Sequence, residues 1–181
     1  TQKLPRYRAK GVLDDNMSSM LAVLNDFKRH REWMRYMSES EIIERFDDFN
    51  LLMYARFDAP WPVWDRDTIL DVSIDYNRSE KKVEIVFKSV NHPSRPPLEG
   101  VIRVPRFDVT MNLHSLEAQQ TEMDYIQNIR PGGDLPHWVV RWLSRKVPVD
   151  TIEHLQEQIE KTRGSYQGFF QRFALDKARK L

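Results

Sequence analysis

The sequence predicts an α+β fold: a curved antiparallel β-sheet wrapped around a long C-terminal α-helix, with an internal apolar cavity between them. Three observations predict it. Between residues 41 and 130 the chain is a run of period-two segments separated by turns, so neighbours in sequence pair as antiparallel neighbours in space. From about residue 150 to residue 173 apolar side chains follow helical spacing instead. No repeat and no linker interrupts the 181 residues, so a single domain spanning 1–181 is expected. A curved sheet that grips one amphipathic helix leaves a cavity wherever the facing side chains do not meet.

The elements follow in order. Residues 6–13 alternate Tyr7, Ala9, Gly11 and Leu13 against Arg8, Lys10 and Val12, a short strand. Asp14-Asp15-Asn16 supplies an N-cap and negative charge at a helix start. Met20, Leu21, Val23, Leu24 and Phe27 form that helix's apolar face, and the basic run Lys28-Arg29-His30-Arg31 closes it. Trp33, Met34, Tyr36 and Met37 follow as an anchor for the core. Period two then takes over in residues 41–48. After a turn it continues in 51–57, with Leu51, Met53 and Ala55 on one face.

Pro60-Trp61-Pro62-Val63-Trp64-Asp65-Arg66-Asp67 reads as a rigid corner, because two prolines fix φ and remove two backbone donors. Trp61 and Trp64 are expected to be buried there, and Arg66 and Asp67 to lock the corner by ionic or hydrogen bonds. Residues 68–76 alternate Leu70, Val72 and Ile74 against Asp71, Ser73 and Asp75; a turn at 77–81 leads to a partner strand at 82–90. Pro93, Pro96 and Pro97 make 91–97 an ordered surface loop. Residues 101–104 and 107–116, including Met111, read as one strand bent at Pro105. In 121–130, Met123, Tyr125, Gln127 and Ile129 share a face, until Pro131-Gly132-Gly133-Asp134 breaks the strand. Pro136 opens a short helix with Trp138, Val139, Trp142 and Leu143 on its apolar side. The last helix, 150–173, is capped by Asp150-Thr151 and presents Ile152, Leu155, Ile159, Thr162, Tyr166 and Phe170. Gly164 and Gly168 fall inside it, at about 1 kcal/mol each against Ala, and mark a helix able to yield.

Composition narrows the chemistry. The net charge of +1 builds no field for nucleic acid, so none is expected as a partner. The absence of cysteine excludes disulfides and thiolate sites. No apolar run nears the ~18 residues of a membrane span, and no leader is visible, so a soluble protein is expected. The compartment stays open: cytoplasmic, or periplasmic or secreted if a leader has been removed. The five histidines are scattered, and no GxSxG, GxGxxG or P-loop occurs, so no metal, cofactor or catalytic residue is expected.

Four motifs, in order, carry a resemblance. They are Trp33 after the first helix, Trp61-Pro62 with Arg66-Asp67, His92-Pro93 and Pro96-Pro97 ahead of Gly100-Val101-Ile102-Arg103, and Pro131-Gly132-Gly133-Asp134-Leu135-Pro136-His137-Trp138. Together they resemble the START domains, the StAR-related lipid-transfer family. Two positions depart from the family pattern: Met34 stands where an aspartate is usual, and Arg130 where an acid is usual. The family's N-terminal helix has no counterpart, so the chain is expected to start inside the usual domain boundary.

The resemblance implies the helix-grip fold and a tunnel that holds one lipid or other hydrophobic small molecule. It implies transient contact with a membrane surface, and a monomer is expected. On the tunnel it places Met53, Val72, Met111, Met123, Tyr125, Gln127, Leu155, Ile159, Thr162 and Tyr166. As gate it implies the C-terminal helix, with Gly164 and Gly168, and the 91–99 loop, with His92, Pro93, Pro96 and Pro97. The family's cholesterol carriers have a buried arginine and acid at positions matching Val72 and Met53. Both are apolar here, so the ligand's polar end is expected at Tyr125, Gln127 or Tyr166. Two other readings stay open on the same scaffold: an enzyme resembling polyketide cyclases and aromatases, and a ligand-sensing interaction module.

Overall fold

Each alternating segment becomes a strand because one of its faces is apolar enough to be buried. The computed structural model describes residues 6–166, except 35, 78 and 118. β1 (Tyr7–Leu13) leads into α1 (Met17–Asn25), one turn of 3-10 helix (Phe27–Arg29) and α2 (His30–Trp33). Seven strands follow: β2 (Met37–Arg45), β3 (Asn50–Phe57), β4 (Asp65–Asn77), β5 (Lys82–Val90), β6 (Val101–Arg103), β7 (Arg106–Glu117) and β8 (Gln120–Arg130). They lead to α3 (His137–Lys161). The sheet order is β1-β8-β7-β5-β4-β3-β2, with every adjacent pair on that path antiparallel. This is the curved sheet and C-terminal helix that the alternation predicts.

The inner face of the sheet carries Leu51, Met53, Leu70, Val72, Ile85, Met111 and Met123. They share one core with Met20 and Leu24 of α1 and Leu155 and Ile159 of α3. Leu52, Tyr54 and Ile69 form a smaller cluster on the other face. The Asn16 side chain caps α1 as expected, accepting the Ser19 N–H at 2.9 Å. Glu32 of α2 accepts from Arg29 (2.7 Å), Lys161 (3.0 Å) and Gln158 (3.1 Å), and Arg163 reaches Asp15 at 3.0 Å. These contacts tie the C-terminal end of α3 to the first helical segment.

The structure corrects four expectations. First, α3 is one helix of 25 residues running through Pro148, not a short helix followed by a second one starting at Asp150. An interior proline costs about 3 kcal/mol. Val139 on one side of it and Leu155 and Ile159 on the other are all buried. At about 1.5–3 kcal/mol each, their burial outweighs the proline. Asp150 is therefore no cap; it accepts from Lys146 (2.9 Å) and Tyr36 (3.2 Å).

Second, α3 ends at Lys161 rather than near residue 173. Thr162 closes it, and Gly164 lies in the following turn at φ +85°. That is a left-handed conformation which glycine adopts freely and a side chain does not. Gly164 is thus a turn residue and not a weak point inside the helix; Gly168 and Phe170 lie outside the described residues.

Third, β6 is not the first half of a bent strand. It pairs in parallel with the start of β4, Asp65 with Val101 and Asp67 with Arg103. β5 covers β4 only from Ile69 onward, so β6 occupies the rungs left open. Fourth, the first helix stops at Asn25, before the basic run, and β2 begins at Met37, four residues earlier than the alternation indicates. Register shifts at Met37/Glu39 and Ile42/Glu44 blur the period there.

None of the described helices is long and apolar enough to cross a membrane.

Candidate functional site

Beneath α3 the inner face of the sheet does not close on itself and leaves a cavity of about 160 Å³. The pairing register builds its wall. Met53 of β3 stands opposite Leu70 of β4, and Met111 of β7 opposite Tyr125 of β8. Phe57 and Phe107 also line it and stack at 5.8 Å. His30, Met34 and Met37 close one end, and Val139, Val147 and Thr151 of α3 form the roof.

Of the ten side chains assigned to the tunnel, Met53, Met111, Tyr125 and Gln127 line this cavity. Val72, Met123, Leu155 and Ile159 are buried in the solid core around Met20 and Leu24. Thr162 donates to the Gln158 carbonyl at 2.7 Å, and Tyr166 to Asp26 at 3.1 Å, so both brace the end of α3. Alternation identifies the inward face of a strand, but not how far along it the packing opens.

His92, Pro93, Pro96 and Pro97 line a separate surface recess with Arg95 and Arg103, away from the cavity wall. The lining reaches the surface instead at Asp58, Ala59 and Pro60, with Arg66 and Pro131 buried beside them. The sequence held a signal for this. Arg66, Thr68 and Leu70 follow period two, so a cavity at Leu70 reaches Arg66 on the same face. The two corner tryptophans are not buried: Trp61 is 90 % exposed and Trp64 62 %. The corner lies just before β4, where no described element covers either ring.

Asp67 does lock the corner, but with Arg103 at 2.7 and 2.9 Å rather than with its neighbour Arg66, because adjacent strand residues point to opposite faces. Arg66 turns inward. Its Nη1 donates to the Trp64 carbonyl, while Nε and Nη2 are buried with no hydrogen-bond partner among the described residues. Burial draws its pKa below the ordinary arginine value, against the pull of Asp65.

Two further polar groups of the cavity, Tyr125 and His30, are held neutral. The Tyr125 hydroxyl donates to Gln127 Oε1 at 3.2 Å, and burial pushes its pKa up. The His30 ring is fully buried, with Nε2 2.9 Å from the Leu24 carbonyl. Burial pushes its pKa down to about 4, although the Leu24 carbonyl and Asp26 act in the opposite sense. A depressed histidine favours the fold only while it stays neutral. Its contribution is complete above the unfolded pKa of about 6.5 and lost as pH falls toward 4, for a total on the order of 3 kcal/mol. Urea unfolding of the wild type at pH 7 and pH 4 is expected to show that loss in excess of the loss in His30→Phe. The carboxylates that are stabilised as anions, such as Asp124 and Asp150, act in both proteins and cancel in the comparison.

Comparison with known proteins agrees with this geometry. The chain is 27% identical over 171 residues to the phosphatidylcholine transfer protein of Rattus norvegicus, covering 88% of this chain and 77% of that one. Its fold superposes on the crystal structure of human STARD10 with a TM-score of 0.80 at 21% identity, over 92% of this chain and 68% of that one. A STAR-related lipid transfer protein from Xanthomonas axonopodis gives 0.74 at 24%, over 86% and 85%. With the START domain family model matching residues 1–163, the chain belongs to the START domain family.

Proposed function

We propose that the chain carries one lipid-like amphiphile in the cavity, without altering it, and exchanges it at a membrane surface as a monomer. The observation that carries this reading is the apolar cavity inside a core that is otherwise closely packed. At about 160 Å³ it is smaller than most small-molecule sites, which start near 300 Å³, so a lipid enters only as the walls part. Met34, Met37, Met53 and Met111 suit a wall that must change shape, being unbranched and flexible. Each CH₂ group taken from water contributes about 0.8 kcal/mol toward opening it. The named relative makes a phospholipid the first ligand to test, ahead of a fatty acid or a sterol.

The rim supports the membrane contact. Trp61 and Trp64 lie between Pro60 and Arg66, which both line the cavity, and exposed Trp138 precedes Val139, which does too. Indole rings favour the headgroup region of a bilayer. The double substitution Trp61→Ala, Trp64→Ala is expected to weaken co-sedimentation with phosphatidylcholine vesicles by about tenfold or more. Unchanged sedimentation would exclude the corner from the contact.

Carriage is favoured over chemistry because burial moves His30 down to about 4 and Tyr125 up, both away from neutral pH, which leaves a weak base and a weak acid on the cavity wall. The reading is tested by incubating the protein with vesicles of phosphatidylcholine, palmitate or cholesterol, reisolating it, and measuring its mass under native conditions. One added lipid per chain is expected. Failure to retain any of the three overturns the carrier reading.

A further inference from the structure

The strand that forms one side of the cavity ends in a buried, incompletely bonded cation. Arg66, Thr68, Leu70 and Val72 share the inner face of β4 by alternation. Leu70 and Arg66 both line the cavity, Arg66 at only 7 % exposure and next to the Asp58–Pro60 end of the lining, which reaches the surface. The free donors, Nε and Nη2, lie on one edge of the guanidinium. Arg103 uses that same edge to grip Asp67 with two parallel bonds, so it is the fork that fits two oxygens of one anion.

The two acids that flank Arg66 in β4 are engaged elsewhere. Asp65 accepts from Arg56 at 2.6 Å and from the Ala59 N–H at 3.1 Å, and Asp67 belongs to Arg103. The Pro131–Gly133 turn comes down over the guanidinium. A Cβ on Gly133 would lie 4.0 Å from Nη2 and 2.8 Å from Ile102 Cδ1, so the residue is held close, at φ +64°. Arginine does not shed its proton, and a buried guanidinium with an empty fork is unfavourable unless something completes it.

We propose that Arg66 anchors an oxyanion of the ligand, a carboxylate or a phosphodiester, at the mouth of the cavity, with the apolar part of the molecule lying inward past Leu70. This rests on the carrier reading and adds the ligand's class and orientation to it. It also revises the expectation drawn from the apolar Val72 and Met53. The anchoring charge is not lost but stands six residues along the same face of β4, about 20 Å nearer the mouth.

Two pairs of probes test it: palmitic acid against hexadecanol, and phosphatidylcholine against the diacylglycerol of the same chains. Affinities are measured by native-mass titration of the full chain, for the wild type, Arg66→Met and Arg66→Lys. The wild type is expected to prefer the anion-bearing member of at least one pair by about tenfold or more. The pair that shows the preference identifies the carboxylate or the phosphodiester. Arg66→Met is expected to level the preference, and Arg66→Lys to keep part of it. Should Arg66→Met fail to fold, Ile102→Glu replaces it. Residue 102 is the register partner of Arg66, and an internal carboxylate there is expected to abolish the preference as well. Equal wild-type binding within both pairs, or a preference that survives these variants, overturns the proposal and leaves the carrier reading intact. If the wild type binds none of the four probes, both fall.

Discussion

Asp67→Ala is expected to lower the free energy of unfolding by about 3–5 kcal/mol, a large part of the 5–15 kcal/mol that holds an ordinary domain together. Asp67 is 0 % exposed. It accepts two bonds from Arg103, at 2.7 and 2.9 Å, and a third from the Tyr54 hydroxyl at 3.2 Å. Removing the carboxylate strands a mostly buried guanidinium and a buried phenol together. The pair also joins β6 to β4, because Asp67 and Arg103 are register partners in the parallel ladder. Asp67→Asn keeps the shape but not the charge and is expected to fall between wild type and Ala. Arg8→Ala serves as the contrast. Arg8 also holds its partner, Asp124, through two bonds, but its side chain is mostly exposed, and solvent screens such a pair so that its loss is expected to change stability little. Urea unfolding at pH 7 reads all three. A loss below about 1 kcal/mol in Asp67→Ala would mean that the network relaxes onto water and does not hold the corner.

Val109→Trp is expected to abolish lipid retention, reducing it by tenfold or more, while the protein still folds. Val109 lies on the cavity wall between Phe87 of β5 and Gln127 of β8, its register partners. An indole in its place intrudes into a space of about 160 Å³ and blocks the region that the ligand must enter. Overfilling a core site costs about 1–3 kcal/mol, which a domain of ordinary stability tolerates. The matched control is Met123→Leu. Met123 faces the same way along β8 but sits in solid core, and the swap conserves volume. Retention is expected to persist there. If Val109→Trp still takes up one lipid per chain, the ligand lies elsewhere.

The strands were legible because a half-buried antiparallel sheet writes itself as alternation, and Leu70-Val72-Ile74 or Met123-Tyr125-Gln127 admit one inward face only. Less of the site was legible. Met53 and Val72 have the same signature, yet one lines the cavity and the other is solid core. What separates them is where α1 fills the sheet's concavity, a contact between segments far apart in the chain. The continuity of α3 was hidden because Pro148 signals a break locally, while the burial that overrides it spans both sides of the proline. Trp61 and Trp64 were expected inside on size alone, but both stand on a corner outside the strands, exposed among the described residues. Arg66 was read as part of a lock with Asp67, although neighbouring residues in a strand face apart. Applied to the charged pair, the alternation rule that found the sheet would have sent Arg66 to the cavity and Asp67 to the opposite face.

The sheet order also sets the sequence in which the molecule can form. β2 to β5 pair with their immediate neighbours in the chain, so each closes only a short loop. β1 has no such neighbour: Tyr7 pairs with Gln127 and Leu13 with Thr121. Strand β1 therefore waits for its partner until more than a hundred further residues have followed it, because its pairing is with β8. Pairings this remote slow the approach to the native state, and they leave a strand edge open to other chains in the meantime. During synthesis the central meander can assemble from the ribosome outward, whereas β1 joins the sheet only once β8 has emerged.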